Sequence, residues 1–205
     1  MKHREQKFTQ ILIAALLFFA VACQTQTTVK NDSTRGRVAV MVAEGFHDGE
    51  AYMPIGYLLN QGYEITVIGS APGKVKAYNS EFTINIEKSV SEVSANDFDA
   101  LILPGGHGPA VLREDDKVIE FVRAFWKTGK VTAAICHGPQ VLITADVMKG
   151  LTSTGTSAIK EEIKQAGAIF VDTTVFVDGN LITSRNPQDL YNFSISIVEA
   201  IQKQK

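Results

Sequence analysis

Two spacings of apolar residues alternate along this chain. Short unbroken runs rich in Val, Ile and Leu are separated by longer stretches in which apolar residues return at helical spacing. The first kind reads as buried strand, the second as amphipathic helix. On that basis Arg37 to Val42, Tyr63 to Gly69, Phe98 to Leu103 and Val131 to Ile135 are core strands. A helix after the first strand places Tyr52, Ile55, Leu58 and Leu59 on one face and ends at Gly62. Lys74 to Glu87 alternates around the polar turn Asn79-Ser80, an edge hairpin. Val111 to Thr128 is an amphipathic helix closed by Gly129, and a helix opened by Pro139 runs to Met148, before Gly150. Ser157 to Gln165 reads as helix. Ala168 to Val171, Val175 to Val177 and Leu181 to Thr183 read as strands, the last two joined at Asp178-Gly179-Asn180. Asn186-Pro187 opens a final helix reaching about Gln202. Strand-helix alternation of this kind builds an α/β domain, residues 37–205, with a parallel sheet covered on both faces. Sites in such sheets lie beyond the carboxyl ends of the strands, where the loops after Val42, Leu103 and Ile135 should meet.

The first residues follow another logic. Lys2, Arg4 and Lys7 precede an unbroken apolar run of 12 residues, Ile11 to Ala22, too short for a comfortable membrane span. Ala20-Val21-Ala22 supplies the small residues a signal peptidase needs, and Cys23 follows directly. The arrangement resembles a bacterial lipobox with Ala20 where Leu is commoner. It implies a signal peptide over 1–22, lipid on the Cys23 sulfur, and a flexible polar tether over 23–36. The mature domain would then be exported and held at a membrane, at the periplasmic face of an outer membrane or at the cell surface.

Composition narrows the classes further. Lys+Arg 20 against Asp+Glu 22 leaves a net charge of −2, which argues against a nucleic-acid partner. Two cysteines, Cys23 and Cys136, sit in such different contexts that they read as two separate jobs. No metal-ligand cluster, Walker loop or dinucleotide fingerprint is present in the sequence, so neither metal nor cofactor is expected.

Cys136 falls between the apolar run Val131 to Ile135 and the helix start at Pro139. Ala134 two residues before and Gly138 two residues after allow a sharp strand-to-helix turn, the nucleophile-elbow pattern with Cys in place of Ser. A thiol at a helix start should be biased towards thiolate. The loop after Val42 supplies Glu44, His47, Asp48 and Glu50. The loop after Leu103 supplies Gly105, Gly106 and His107, the glycines allowing backbone N–H groups to approach a ligand and hold an oxyanion. His137 adds a second backbone donor. Of the four histidines, His3 lies in the leader, so a histidine base must be His47, His107 or His137.

Four segments resemble the PfpI-type intracellular protease family, within the superfamily of the Parkinson-associated deglycase. They are Phe98 to His107, Ala134 to Leu142, Val177 to Asn180 and Thr183 to Asp189. The resemblance implies a flavodoxin-like fold, dimers or larger rings, and use of the elbow cysteine. It places the family's buried thiol-contacting carboxyl on Glu50 and its neighbouring histidine on His137. Protease-type members also place a partner-subunit carboxylate after the Gly-Gly turn to orient that histidine. That position is Ala110 here, with Asp115 or Asp116 as the substitutes at hand.

The resulting expectation is a cysteine-dependent hydrolase or lyase acting on small carbonyl or glycated compounds, glyoxalase-like or deglycase-like. Cys136 is the nucleophile, Glu50 and His137 move protons, and Gly105, Gly106 and His137 hold the oxygen. His47 and His107 stand as substrate contacts. The alternatives are a cysteine peptidase or amidase, and a non-enzymatic redox sensor or chaperone in which Cys136 oxidises beside Glu50. A homodimer or larger homo-oligomer is expected from the resemblance and from apolar surface near the hairpin. For the leader, Cys23→Ser should release the protein from the membrane fraction or leave it unprocessed. An unmodified Cys23 in the native protein's mass spectrum would end the lipoprotein reading.

Overall fold

A computed structural model describes residues 34–205. The expected leader, Cys23 and most of the tether lie outside the described residues. The domain is α/β, as its sequence implies. Seven strands form one sheet: β1 (Arg37–Met41), β2 (Glu64–Gly69), β5 (Lys88–Ser89), β6 (Ala100–Leu103), β7 (Val131–Ile135), β10 (Val175–Asp178) and β11 (Leu181–Ser184). Their order is β10-β11-β7-β6-β1-β2-β5, and every pairing is parallel except β10 with β11. Around it lie α1 (Asp48–Asn60), α2 (Gly108–Leu112), α3 (Asp116–Lys127), α4 (Pro139–Thr144), α5 (Lys160–Gln165) and α6 (Leu190–Lys203).

The central strands are apolar throughout because both faces are buried. Alternate residues feed two cores. Ala39, Met41, Leu101, Leu103 and Ala134 pack with Val118, Val122 and Phe125 of α3 and Val141 and Leu142 of α4. Val38, Val40, Ile102, Ala133 and Ile135 pack with Ala51 and Leu58 of α1 and Phe193, Ile197 and Ile201 of α6. Because β7, β6 and β1 are adjacent and parallel, the loops after all three emerge on one edge.

Several local expectations change. The stretch from Val111 to Thr128 is not one helix. The chain breaks at Asp115, whose side chain accepts from the Lys117 N–H and caps α3. The elbow helix stops at Thr144 rather than Met148, since Asp146 takes φ 56°. The hairpin is real, β3 (Gly73–Lys76) against β4 (Thr83–Ile86), but forms its own two-stranded sheet. The edge of the main sheet is the two-residue β5 instead. Ile169–Phe170, β9, pairs with β8 (Thr152–Ser153) away from the main sheet. Strands this short carry no periodicity to read.

Phe46 ties the first loop to its neighbours. Its side chain is 1% exposed. Its backbone bridges to Ala77 on one side and Gly106 on the other. Gly45 donates to the Lys76 carbonyl at 2.8 Å, Tyr78 to the Phe46 carbonyl at 3.1 Å, and His47 to the Gly105 carbonyl at 3.1 Å. The first loop is thereby clamped between the hairpin and the Gly105-Gly106 turn.

Candidate active site

The elbow forms as its sequence demands. Cys136 has φ 61°, a conformation that side-chain-bearing residues rarely adopt and that costs on the order of 1–3 kcal/mol. Two hydrogen bonds hold it there: Cys136 N–H to the Ser184 carbonyl and Thr156 N–H to the Cys136 carbonyl, both 3.1 Å. A Cβ at Gly138 would collide with the Leu103 carbonyl, so no larger residue fits beneath the turn.

Glu50, in the first turn of α1, is fully buried. Its Oε2 accepts the Gly105 N–H at 2.7 Å. Oε1 is buried with no well-aligned partner, although the carboxyl and the Cys136 thiol interact side chain to side chain. Close contact gives the weak alignment room to tighten when charge develops. Gly105 lies between the three loops. A Cβ there would stand 2.6 Å from Glu50 Oε2, 2.7 Å from Cys136 Cβ and 2.8 Å from the His137 nitrogen. Only a hydrogen leaves room for carboxyl, thiol and donor to converge. The N–H groups of Gly106 and His137 both interact with the sulfur.

Electrostatics corrects one expectation. Burial, the Glu50 charge and the Glu50 contact push the Cys136 thiol up to about 12, outweighing the two N–H groups. The thiol is therefore not a standing thiolate. Burial likewise raises Glu50 to about 7, against the pull of the Gly105 N–H and the thiol contact. The expectation that Glu50 holds a proton near neutrality agrees with that shift.

His137 Nδ1 lies 3.3 Å from Cys136 Sγ. Burial and the neighbouring His107 lower its pKa, against the charge of Glu162. Within the chain Asp115 caps α3. The carboxylate acting on His137 is Glu162 of α5, which sequence reasoning missed. Glu162 accepts from Gln140 Nε2 at 2.8 Å and pairs with Arg113 at 2.6 Å. Nothing in the sequence marks it, since a glutamate in a first helical turn is ordinary.

His47 and His107 stand at the mouth, separated by a residue also missed, Tyr78. Its ring centroid is 4.4 Å from that of His107 and 5.7 Å from that of His47. Burial lowers the His47 pKa despite Asp48 at 3.4 Å. Among the described residues no group of three or more His, Cys, Asp and Glu side chains is placed to hold a metal.

The sequence profile of the DJ-1/PfpI family matches residues 36–200. The chain belongs to the DJ-1/PfpI family. It is 43% identical to protein/nucleic acid deglycase 2 of Escherichia coli over 160 residues, 77% of this chain and 93% of that protein. It is 41% identical to YraA of Bacillus subtilis, described as a candidate cysteine protease, covering 77% and 94% of the two chains. The crystal structure of Drosophila melanogaster DJ-1beta matches with a TM-score of 0.74 at 31% identity, covering 82% of this chain and 94% of that one. The matched span, residues 36–200, includes the three loops described above.

Glu50 also sets a pH dependence of stability. Its folded pKa, about 7, exceeds the ordinary glutamate value of 4.5, so the neutral carboxyl is favoured by folding. That contribution is present below about 4.5 and lost as pH rises through 7. The loss is on the order of 3 kcal/mol. Glu50→Gln cannot ionise, so its stability relative to wild type should rise between pH 5 and pH 8. Urea midpoints at the two pH values measure this; an unchanged difference would contradict a buried, titrating Glu50.

Proposed function

We propose that this protein is a cysteine-dependent enzyme acting on small carbonyl compounds or their glycated adducts. The observation that carries the reading is the convergence at Gly105 of a strained elbow thiol, a buried carboxyl of pKa about 7 and two inward N–H groups. Named deglycases among its relatives support the same class.

With methylglyoxal as substrate, Cys136 Sγ adds to the aldehyde carbon as its proton passes to the ionised fraction of Glu50, or to His137 Nδ1, and on to the former carbonyl oxygen, giving a hemithioacetal and restoring the base. Proton transfer is coupled to attack because the free thiol ionises so reluctantly. The N–H groups of Gly106 and His137 are placed to hold the resulting oxyanion. Glu50 then moves the former aldehyde proton from the first to the second carbon, giving a thioester of lactate. Water releases lactate and restores the thiol. The step is an internal redox exchange between adjacent carbons, so it needs no external oxidant.

A peptidase reading draws on the 3.3 Å Cys136–His137 contact and on the charge of Glu162 acting on His137 within the same chain. Arg113 and Gln140 already occupy Glu162, which weakens its hold on His137. Carbonyl chemistry does not require that hold, and it is the preferred reading.

We also propose a homo-oligomer and membrane anchoring through Cys23. Tyr52 and Phe82 are 39% and 63% exposed and line an apolar cavity of about 480 Å³ with Asp48 and Gly49. Such surface is common at subunit contacts.

Cys136→Ser and Glu50→Gln should each lower methylglyoxal turnover by at least about 100-fold, the scale of losing a nucleophile or a general base. Glu162→Gln should lower it by less than about tenfold. Hydrolysis of a fluorogenic peptide, lost in Glu162→Gln while methylglyoxal is untouched by wild type, would favour the peptidase instead. Sedimentation should show a dimer or larger species at micromolar concentration; a monomer would refute the assembly.

A further inference from the structure

The mouth of the site is built with more fixed structure than substrate contact alone requires. Tyr78 sits at the tip of the hairpin, half exposed, with its ring tilted against His107 and edge-on to His47. The tip is stapled down. Asp48 N–H donates to Asn79 Oδ1 at 3.2 Å, and Asn79 Nδ2 donates to Asp48 Oδ1 at 2.7 Å. The Tyr78 N–H is fixed on the Phe46 carbonyl. The three rings therefore form a rigid collar attached to the turn that carries the Gly106 N–H. Burial, with the charges that Cys136, Glu50 and Asp48 carry when ionised, raises the Tyr78 pKa and keeps the phenol neutral.

The charge around this collar is one-sided. Hydrogen bonds from Ser80, Asn79 and the Gly49 N–H hold Asp48 as a carboxylate, below the usual range. Two cations on this side are ion-paired: Lys76 of the hairpin with Glu81 at 2.9 Å, and Arg113 with Glu162, whose charge acts on His137. His47 and His137 are held towards their neutral forms by burial. On the opposite flank of the elbow, Arg185 is committed to Asp172 and Asp189. Lys160 there stands over the Phe170 ring, and no ion pair holds it among the described residues. An incoming molecule on the collar side meets aromatic faces and one carboxylate, which suit a cation or a neutral group and oppose an anion.

We propose that Tyr78 and Asp48, with His47 and His107, form a charge-selective entrance to Cys136 that favours neutral or cationic carbonyl compounds over carboxylate-bearing ones. This specificity rests on the carbonyl-enzyme reading above, and it is tested without turnover. Cys136 of the reduced full-length protein is treated with methanethiosulfonates of three charges: trimethylammonioethyl, methyl and sulfonatoethyl. The rate is read as the mass shift of the Cys136-bearing peptide, so Cys23 does not interfere, and is normalised to 2-mercaptoethanol.

The cation-to-anion rate ratio at Cys136 should exceed that of 2-mercaptoethanol about tenfold, the scale of one nearby carboxylate plus a cation–π contact. Asp48→Asn should reduce the ratio severalfold, Tyr78→Ala should reduce it further in combination, and Tyr78→Phe should keep it. High salt should shrink the Asp48 part. A wild-type ratio equal to that of the small thiol, or reversed towards the anion through Lys160, overturns the proposal. An unchanged ratio in Asp48→Asn removes Asp48 from it. Selective labelling in a protein that does not consume methylglyoxal would refute the proposed reaction and leave the entrance standing. Turnover of methylglyoxal with flat labelling would do the reverse.

Discussion

One buried carboxyl group joins the parts of this site. Glu50 has no solvent exposure and a single aligned hydrogen bond, to the Gly105 N–H. Through that bond α1 is attached to the loop after β6, and through its contact with the thiol to the loop after β7. A carboxylate buried with so little compensation would be costly, and a proton relieves most of the cost. The fold thereby keeps a proton beside the sulfur near neutral pH. Gly105 makes the arrangement sterically possible, since every alternative side chain begins where the carboxyl oxygen already stands.

The thiol and the carboxyl are a coupled pair. Burial raises the pKa of both; Glu50 raises that of the thiol further, while the thiol contact pulls that of Glu50 down. The elbow places the sulfur under two N–H groups, yet these do not offset the loss of water. Reactivity at such a cysteine comes from the ionised fraction of the carboxyl in contact with it, which takes the proton at the moment of attack, rather than from a resting thiolate. The strain at Cys136 and the clamping of the first loop by Phe46 serve the same end: they hold the reacting groups in place before the substrate arrives.

Much of this was legible in the chain. The apolar runs at Val38 to Val42, Leu101 to Leu103 and Val131 to Ile135 announce central parallel strands, because a strand buried on both faces has no polar side to show. The elbow at Cys136 is legible because few residues permit such a turn, and Ala134, Gly138 and Pro139 are among them. Adjacency of the three loops at one sheet edge brings Gly105, Gly106 and the acids of the first loop towards the elbow, and the family resemblance singles out Glu50 among those acids. Helix ends were less legible: Asp115 is an unremarkable residue until its side chain is seen capping α3.

By itself the sequence determined the α/β class, the parallel sheet, the edge on which the site lies and the residue at its centre, since these depend on local periodicity and on turn chemistry. Tertiary structure alone decided the proton balance, because the pKa of Cys136 reflects how much water is lost and which charge stands near, and neither is written in nearest neighbours. It also decided the surroundings. The charge of Glu162, on a helix that follows the elbow, acts on His137, and Tyr78 stacks on His107 from a hairpin that precedes it. Both residues look ordinary in their own segments, and only the packing of distant elements gives them a place in the site.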